Sequence, residues 1–182
     1  MAVQHAVSVE EFEHFLADFI ESDRHFELIN GEIVEKMPTQ LHAYIIAILT
    51  NALMNFLRIN PMGRALPEAR YRMSGDNTHN VIPALSFITN EKGKLVSEGA
   101  APYMPDLAVE VQSKGQSEKF MVNKAAYYLA NGSRMVWLVY PEKRIVEVLT
   151  PDFRELLTEE HTLTGGDVLP GFSLPVREIF AQ

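Results

Sequence analysis

Leu107-Ala-Val-Glu-Val111, followed by Ser117 to Leu129 and then Met135 to Val139, is the stretch that decides the fold. The first piece is short and almost wholly apolar, the signature of a strand covered on both faces of a sheet. The second has a helical pattern and is closed by Asn131-Gly132, a C-terminal stop. The third reads as a strand, and it forms a hairpin with Ile145 to Leu149 around Pro141-Glu-Lys-Arg144.

Upstream, Ser8-Val-Glu-Glu11 reads as a capping box that opens a helix through about Ile20, with Phe12, Phe15, Leu16 and Phe19 on one face. Phe26-Glu-Leu-Ile-Asn-Gly-Glu-Ile-Val-Glu35 alternates around Asn30-Gly31, a strong hairpin signal. Thr39 to Ile59 carries a long apolar helical pattern that Pro61 and Gly63 stop. Ala65 to Met73 and Val81 to Ile88 read as strands joined by Ser74-Gly-Asp-Asn-Thr-His79, and residues 89 to 104 as an exposed loop. The tail adds short strands and ends in one helical turn between Pro175 and Phe180. The expected class is α+β, a mixed sheet flanked by helices.

The 182 residues fit one domain spanning 1–182, with 47% hydrophobic and 22% charged residues, ordinary for a globular chain. There is no cysteine, so disulfides, thiolate metal sites and cysteine nucleophiles are excluded. A metal would need oxygen or imidazole ligands, which favours Mg²⁺ or Mn²⁺ where carboxylates dominate. The N-terminus shows no secretory signal and the chain no run of about 18 apolar residues, so the expected location is cytoplasmic, with no membrane partner. A formal net charge of -8 argues against strong non-specific nucleic-acid binding. It still permits a local basic groove.

Three residues stand out as candidates for chemistry. Glu110 lies between Val109 and Val111, and a buried carboxylate is costly unless it is paired or binds metal. The plain alternative is an exposed strand face or a partner arginine. Lys124 lies on the following helix and Glu27 opens the Glu-Leu-Ile-Asn-Gly hairpin; each could equally be a solvated surface residue. His42 opens the long helix without a second histidine at metal-ligand spacing, so it ranks low as a zinc ligand. No nucleophile-elbow or phosphate-binding glycine motif occurs, which removes hydrolase-triad and nucleotide readings.

In order and spacing, these pieces resemble the Uma-type family of restriction endonucleases, long catalogued as a domain of unknown function. The matching segments are Phe26 to Glu32, His42, Ile82 to Ile88, Pro105 to Ser113, Lys124 with Tyr128 and Gly132, and Val136 to Pro141. They cover about Val7 to Phe180. The resemblance implies a restriction-endonuclease-like PD-(D/E)XK core, in which a strand aspartate and a glutamate on the next core strand bind Mg²⁺. A lysine orients or activates water, and the metal stabilises charge on the scissile phosphate. Carried over residue by residue, Glu110 takes the glutamate position, Gln112 the place two residues on, Lys124 that of a displaced lysine and Glu27 that of an accessory carboxylate. Gln112 could orient water but cannot act as a base.

The pattern also implies proline followed by aspartate where this chain has Pro83-Ala84. Alanine offers a metal no oxygen. Asp106 forms a literal Pro-Asp pair but precedes Glu110 by four residues, roughly 13 Å along a strand at ~3.3 Å per residue, so it reads as the residue that starts the strand. Rescue would need Glu27 as a direct ligand, or Asp76 reaching in from the preceding loop. The sequence thus leads to a Mg²⁺- or Mn²⁺-dependent DNA endonuclease with an impaired centre, metal ligands Glu110 and Glu27, and a homodimer by analogy with two-strand cleavage. Two alternatives stand beside it. One is an inactive member that binds or regulates. The other is an oligomeric protein with no nucleic-acid partner, using Ile45, Ile48 and Leu49 at an interface.

Overall fold

A computed structural model describes residues 6–19, 22 and 24–181. Its centre is a six-stranded sheet made of β3 (Gly63–Pro67), β4 (Leu85–Thr89), β5 (Leu107–Val111), β6 (Met135–Tyr140), β7 (Ile145–Leu149) and β8 (Arg154–Leu157), hydrogen-bonded in that order. Only β5 and β6 run parallel, and α3 (Glu118–Ala130) makes the crossover between them. A parallel pair needs such a connection, whereas the antiparallel neighbours are joined by turns and loops. β5 and β6 lie in the middle of the sheet, and every residue of both is buried, as their unbroken apolar runs require.

The two faces of the sheet are covered differently. On one, α2 (Gln40–Ile59) lays Ile45, Leu49, Leu53 and Leu57 against Leu85, Phe87, Val109 and Trp137. The ribbon of β9 (Thr162–Gly165) and β10 (Leu169–Pro175) and the single turn α4 (Val176–Ile179) complete that layer. On the other face, Met121, Ala125 and Tyr128 of α3 pack on Ala108, Val136 and Leu138. A third, smaller cluster joins α1 (Val9–Ala17) to β1 (His25–Ile29) through Val9, Phe12, Phe26 and Leu28. The capping box on α1 is present, with Ser8 and Glu11 bonded reciprocally; the helix stops at Ala17, and the expected end at Ile20 lies outside the described residues.

β1 and β2 (Glu32–Lys36) form the expected hairpin. Both turn residues are left-handed, Asn30 at φ 51° and Gly31 at φ 74°, the combination a tight two-residue turn demands. A Cβ on Gly31 would also come within 2.7 Å of the Ala6 Cβ.

Three sequence expectations are corrected. The strands read at 65–73 and 81–88 are shorter and shifted, because Glu68 takes a left-handed φ of 50° and Pro83 carries no N–H. The intervening chain is held instead by single bridges, Tyr71 with Val81 and Ala101, and Leu28 with Asn80. For the same reason the 89–104 segment is not wholly exposed: it contains a short 3-10 turn at Asn90–Lys92, and Ala101 and Met104 are buried. Ile45 and Leu49 lie in the core and are unavailable to an interface. α2 itself is long and apolar enough to cross a membrane, with a mean hydropathy of 1.3, although the sequence reading found no such stretch. One face of it is packed into the core described above.

Gly63 lets β3 lie flat against β4, since a Cβ there would collide with the Ile88 carbonyl oxygen and the Phe87 ring. Gly63→Ala is expected to lower stability by about 1–3 kcal/mol, read as a shift of the urea midpoint. An unchanged midpoint would contradict this packing.

Candidate active site

Glu27, Glu110 and Lys124 come from three separate elements and meet in the interior. Glu27 lies at the centre of β1, Glu110 near the end of β5, and Lys124 one turn before Tyr128 on α3. Their relative exposures are 0%, 5% and 3%, so the cluster is sealed from solvent. The Lys124 Nζ donates to both oxygens of Glu27, at 2.9 and 3.0 Å, and lies 2.7 Å from Glu110 Oε1. Tyr128 stands on the same face of α3, because residues four apart on a helix are neighbours. Its hydroxyl donates to Glu110 Oε1 at 2.7 Å, and the Ile82 amide donates to Glu27 Oε1 at 2.6 Å.

The electrostatics follow from two carboxylates sharing one ammonium. Both carboxylates hold the Lys124 ammonium charged and raise its pKa, overcoming a burial that would lower it. Burial pushes the Glu110 carboxyl upward, Glu27 adds to that push, and Lys124 pulls against it. Burial likewise pushes the Tyr128 phenol well up, with Glu110 contributing, so the hydroxyl stays a donor.

Position 84 precedes β4, whose ladder with β5 runs from Leu85–Val109 to Phe87–Leu107. Ala84 packs in the core on the α2 side of the sheet. Ala84 is 1% exposed and contributes a methyl group, while its carbonyl accepts from the Glu68 amide at 3.3 Å.

The other sequence candidates fall outside the cluster. The Gln112 Nε2 donates to the Gln116 carbonyl at 2.8 Å, which commits it to the loop after β5. Asp106 stands at the opposite end of β5, where it accepts from the Thr89 amide at 2.8 Å and so ties β4 to β5. The Asp76 Oδ1 accepts from the Thr78 and His79 amides, and its Oδ2 from the Tyr127 hydroxyl at 2.7 Å. That carboxylate locks its own loop, and His79 stacks on Tyr127 at 3.9 Å beside it. His42 is buried on α2. Two contributors lie beyond the sequence reading. One is Tyr128, whose spacing of four from Lys124 on a helix carries the signal. Lys36 closes the hairpin side by reaching the Ile82 carbonyl and Glu68 Oε1, each at 3.2 Å.

This donor set does not fit a resident divalent ion. The position between the two carboxylates is taken by an ammonium, and Ala84 supplies no oxygen. Among the described residues, no group of three or more His, Cys, Asp or Glu side chains is disposed to hold a metal.

Known proteins were compared with this chain. The family described as "Uma2: Putative restriction endonuclease" matches residues 9–177. Curated proteins give no match. Among solved structures, a "putative nuclease belonging to DUF820" from Anabaena variabilis ATCC 29413 is similar in fold, with a TM-score of 0.75. It is 21% identical, and the alignment covers 91% of this chain and 96% of that one.

Lys124→Met would leave two buried carboxylates facing each other. The expected loss is about 3–5 kcal/mol at neutral pH. Without the ammonium, the Glu110 carboxyl is pushed further above its ordinary value of 4.5. A raised carboxyl gives stability that is complete below the unfolded value and lost as pH rises through the folded one. The deficit against the wild type should therefore narrow as pH falls from about 7 to 5, measured by urea denaturation. A deficit that stays constant or widens would contradict the triad.

Proposed function

Because the chain belongs to the Uma2 family, we propose that it is a DNA-binding protein of the restriction-endonuclease-like class in which metal-dependent phosphodiester hydrolysis is strongly impaired. The family assignment and the nuclease fold support the nucleic-acid part of this reading. One observation supports the impairment: the side chain at position 84, where the family resemblance places a metal-binding aspartate, is a methyl group. Related nucleases use a divalent ion, Mg²⁺ or Mn²⁺, to stabilise charge on the scissile phosphate. Here Glu27 and Glu110 would be the carboxylates nearest to that role, and both are satisfied by Lys124.

The test is plasmid nicking in Mg²⁺ and in Mn²⁺. Wild-type protein is expected to nick no faster than Glu110→Ala, and Ala84→Asp is expected to gain nicking that a further Glu110→Ala removes. Robust wild-type nicking that Glu110→Ala abolishes would overturn the impairment. A double-stranded oligonucleotide that fails to bind at low salt would overturn the nucleic-acid reading.

A second copy of the chain fits the same reading, since acting on two strands commonly uses two subunits. The exposed apolar side chains Tyr44, Met54 and Ile59 of α2 support a shared face. Sedimentation equilibrium should read a dimer that Met54→Asp dissociates, and a wild-type monomer would refute it.

A further inference from the structure

Lys36 closes β2 on the same face of the hairpin as Glu27. The ladder sets Glu27 against Val34, and residues two apart on a strand share a face. Ile82 links the two charges. Its amide donates to Glu27 Oε1 at 2.6 Å, and its carbonyl accepts from the Lys36 Nζ at 3.2 Å. Lys36 thus stands one residue away from the buried cluster, on its partly open side. Burial pushes the Glu110 carboxyl up, and after Lys124 the charge that pulls it back is that of Lys36.

The second observation is the partner that Lys36 holds. Glu68 Oε1 accepts from its ammonium at 3.2 Å, with the lysine side chain 11% exposed and the glutamate side chain 43% exposed. A pair with one solvated member contributes little and opens readily. An ammonium has three N–H bonds, and among the described residues the Ile82 carbonyl and Glu68 receive two of them. One donor is left for an outside acceptor. Glu68 reaches this place from a backbone conformation that glutamate rarely takes, φ 50°, with its amide donating to the Ala84 carbonyl at 3.3 Å. The other left-handed non-glycine residues, Asn30 and Arg144, close hairpin turns, whereas Glu68 leads out of β3 into a long connection. Non-glycine residues held in this way cluster at ligand clamps and switches.

We propose that Lys36 is a contact for a backbone phosphate of nucleic acid, and that in the free protein the Glu68 carboxylate occupies that seat as a stand-in which the strand displaces. This rests on the nucleic-acid reading above and adds to it the residue that meets the strand. Glu68 rotates into solvent, where its side chain already lies in part, and a phosphate oxygen replaces it on the ammonium in a charge-assisted hydrogen bond. One anion is exchanged for another, so Lys36 stays paired and the buried cluster beside it keeps its balance of charge. The contact draws on no metal ion, so it is compatible with impaired hydrolysis.

The test is binding of a short DNA duplex over a range of salt concentrations. Glu118→Gln is the charge-matched control, since Glu118 pairs with Lys143 on the exposed surface. Glu68→Gln should tighten binding about five- to tenfold, against less than about twofold for Glu118→Gln. Lys36→Gln should weaken binding, cut the slope of log affinity against log salt by about 1, and abolish the gain from Glu68→Gln in the double variant. Glu68→Gln keeps the shape of the side chain, so its comparison with Glu118→Gln decides the matter even if Lys36→Gln fails to fold. The duplex should also shift the Ile82 and Glu68 amide resonances. Equal gains from the two glutamine variants, or a gain that survives Lys36→Gln, would overturn the seat and leave the proposed function standing. Saturable shifts of those amides with inorganic phosphate but none with duplex would assign the seat to free anions and overturn the nucleic-acid source. A duplex that binds neither the wild type nor Glu68→Gln would overturn this inference and the nucleic-acid reading together.

Discussion

One ammonium between two carboxylates holds the centre of this molecule together. Lys124 of α3 bonds to Glu27 of β1 and lies against Glu110 of β5, and all three side chains are buried. Removing Lys124 would leave two carboxylates facing each other in the interior, which ties the hairpin, the sheet and the crossover helix to a single arrangement. The Tyr128 hydroxyl and the Ile82 amide fill remaining acceptor positions, so the network is bonded on each carboxylate by more than the lysine alone. A buried network of this kind is costly to assemble, and a well-packed apolar replacement would often be as stable. Stability alone therefore does not account for its presence.

Position 84 matters more than the other departures from the nuclease pattern. Gln112 already faces its own loop, so a lysine there would not complete the cluster without remodelling residues 113–116. Position 84, just before β4, is where the family resemblance places an aspartate, and a methyl group stands there instead.

Much of this was legible in the sequence. The apolar run Leu107 to Val111 with a single glutamate inside it marked both the central strand and its charged member. The Asn30-Gly31 turn marked the hairpin that carries Glu27. Local pattern could not show that β1, laddered with β2 and bridged to Asn80 through Leu28, would bring Glu27 against α3, ninety-seven positions on. Resemblance supplied that convergence. The bounds of β3 and β4 were lost because the left-handed turn at Glu68 has no compositional sign: glutamate rarely adopts it. Spacing along a strand gives the face but not where the strand ends: β5 ends at Val111, and Gln112 beyond it bonds its own loop.

The chain belongs to a nuclease family, and the cluster around Lys124 is where the proposed impairment is tested. The most direct measurement is a crystal soaked in Mn²⁺ and recorded with anomalous scattering. The account predicts no anomalous peak beside Glu110 and the Lys124 Nζ still between the two carboxylates. A peak within ligand distance of Glu27 and Glu110, with the lysine displaced, would contradict it.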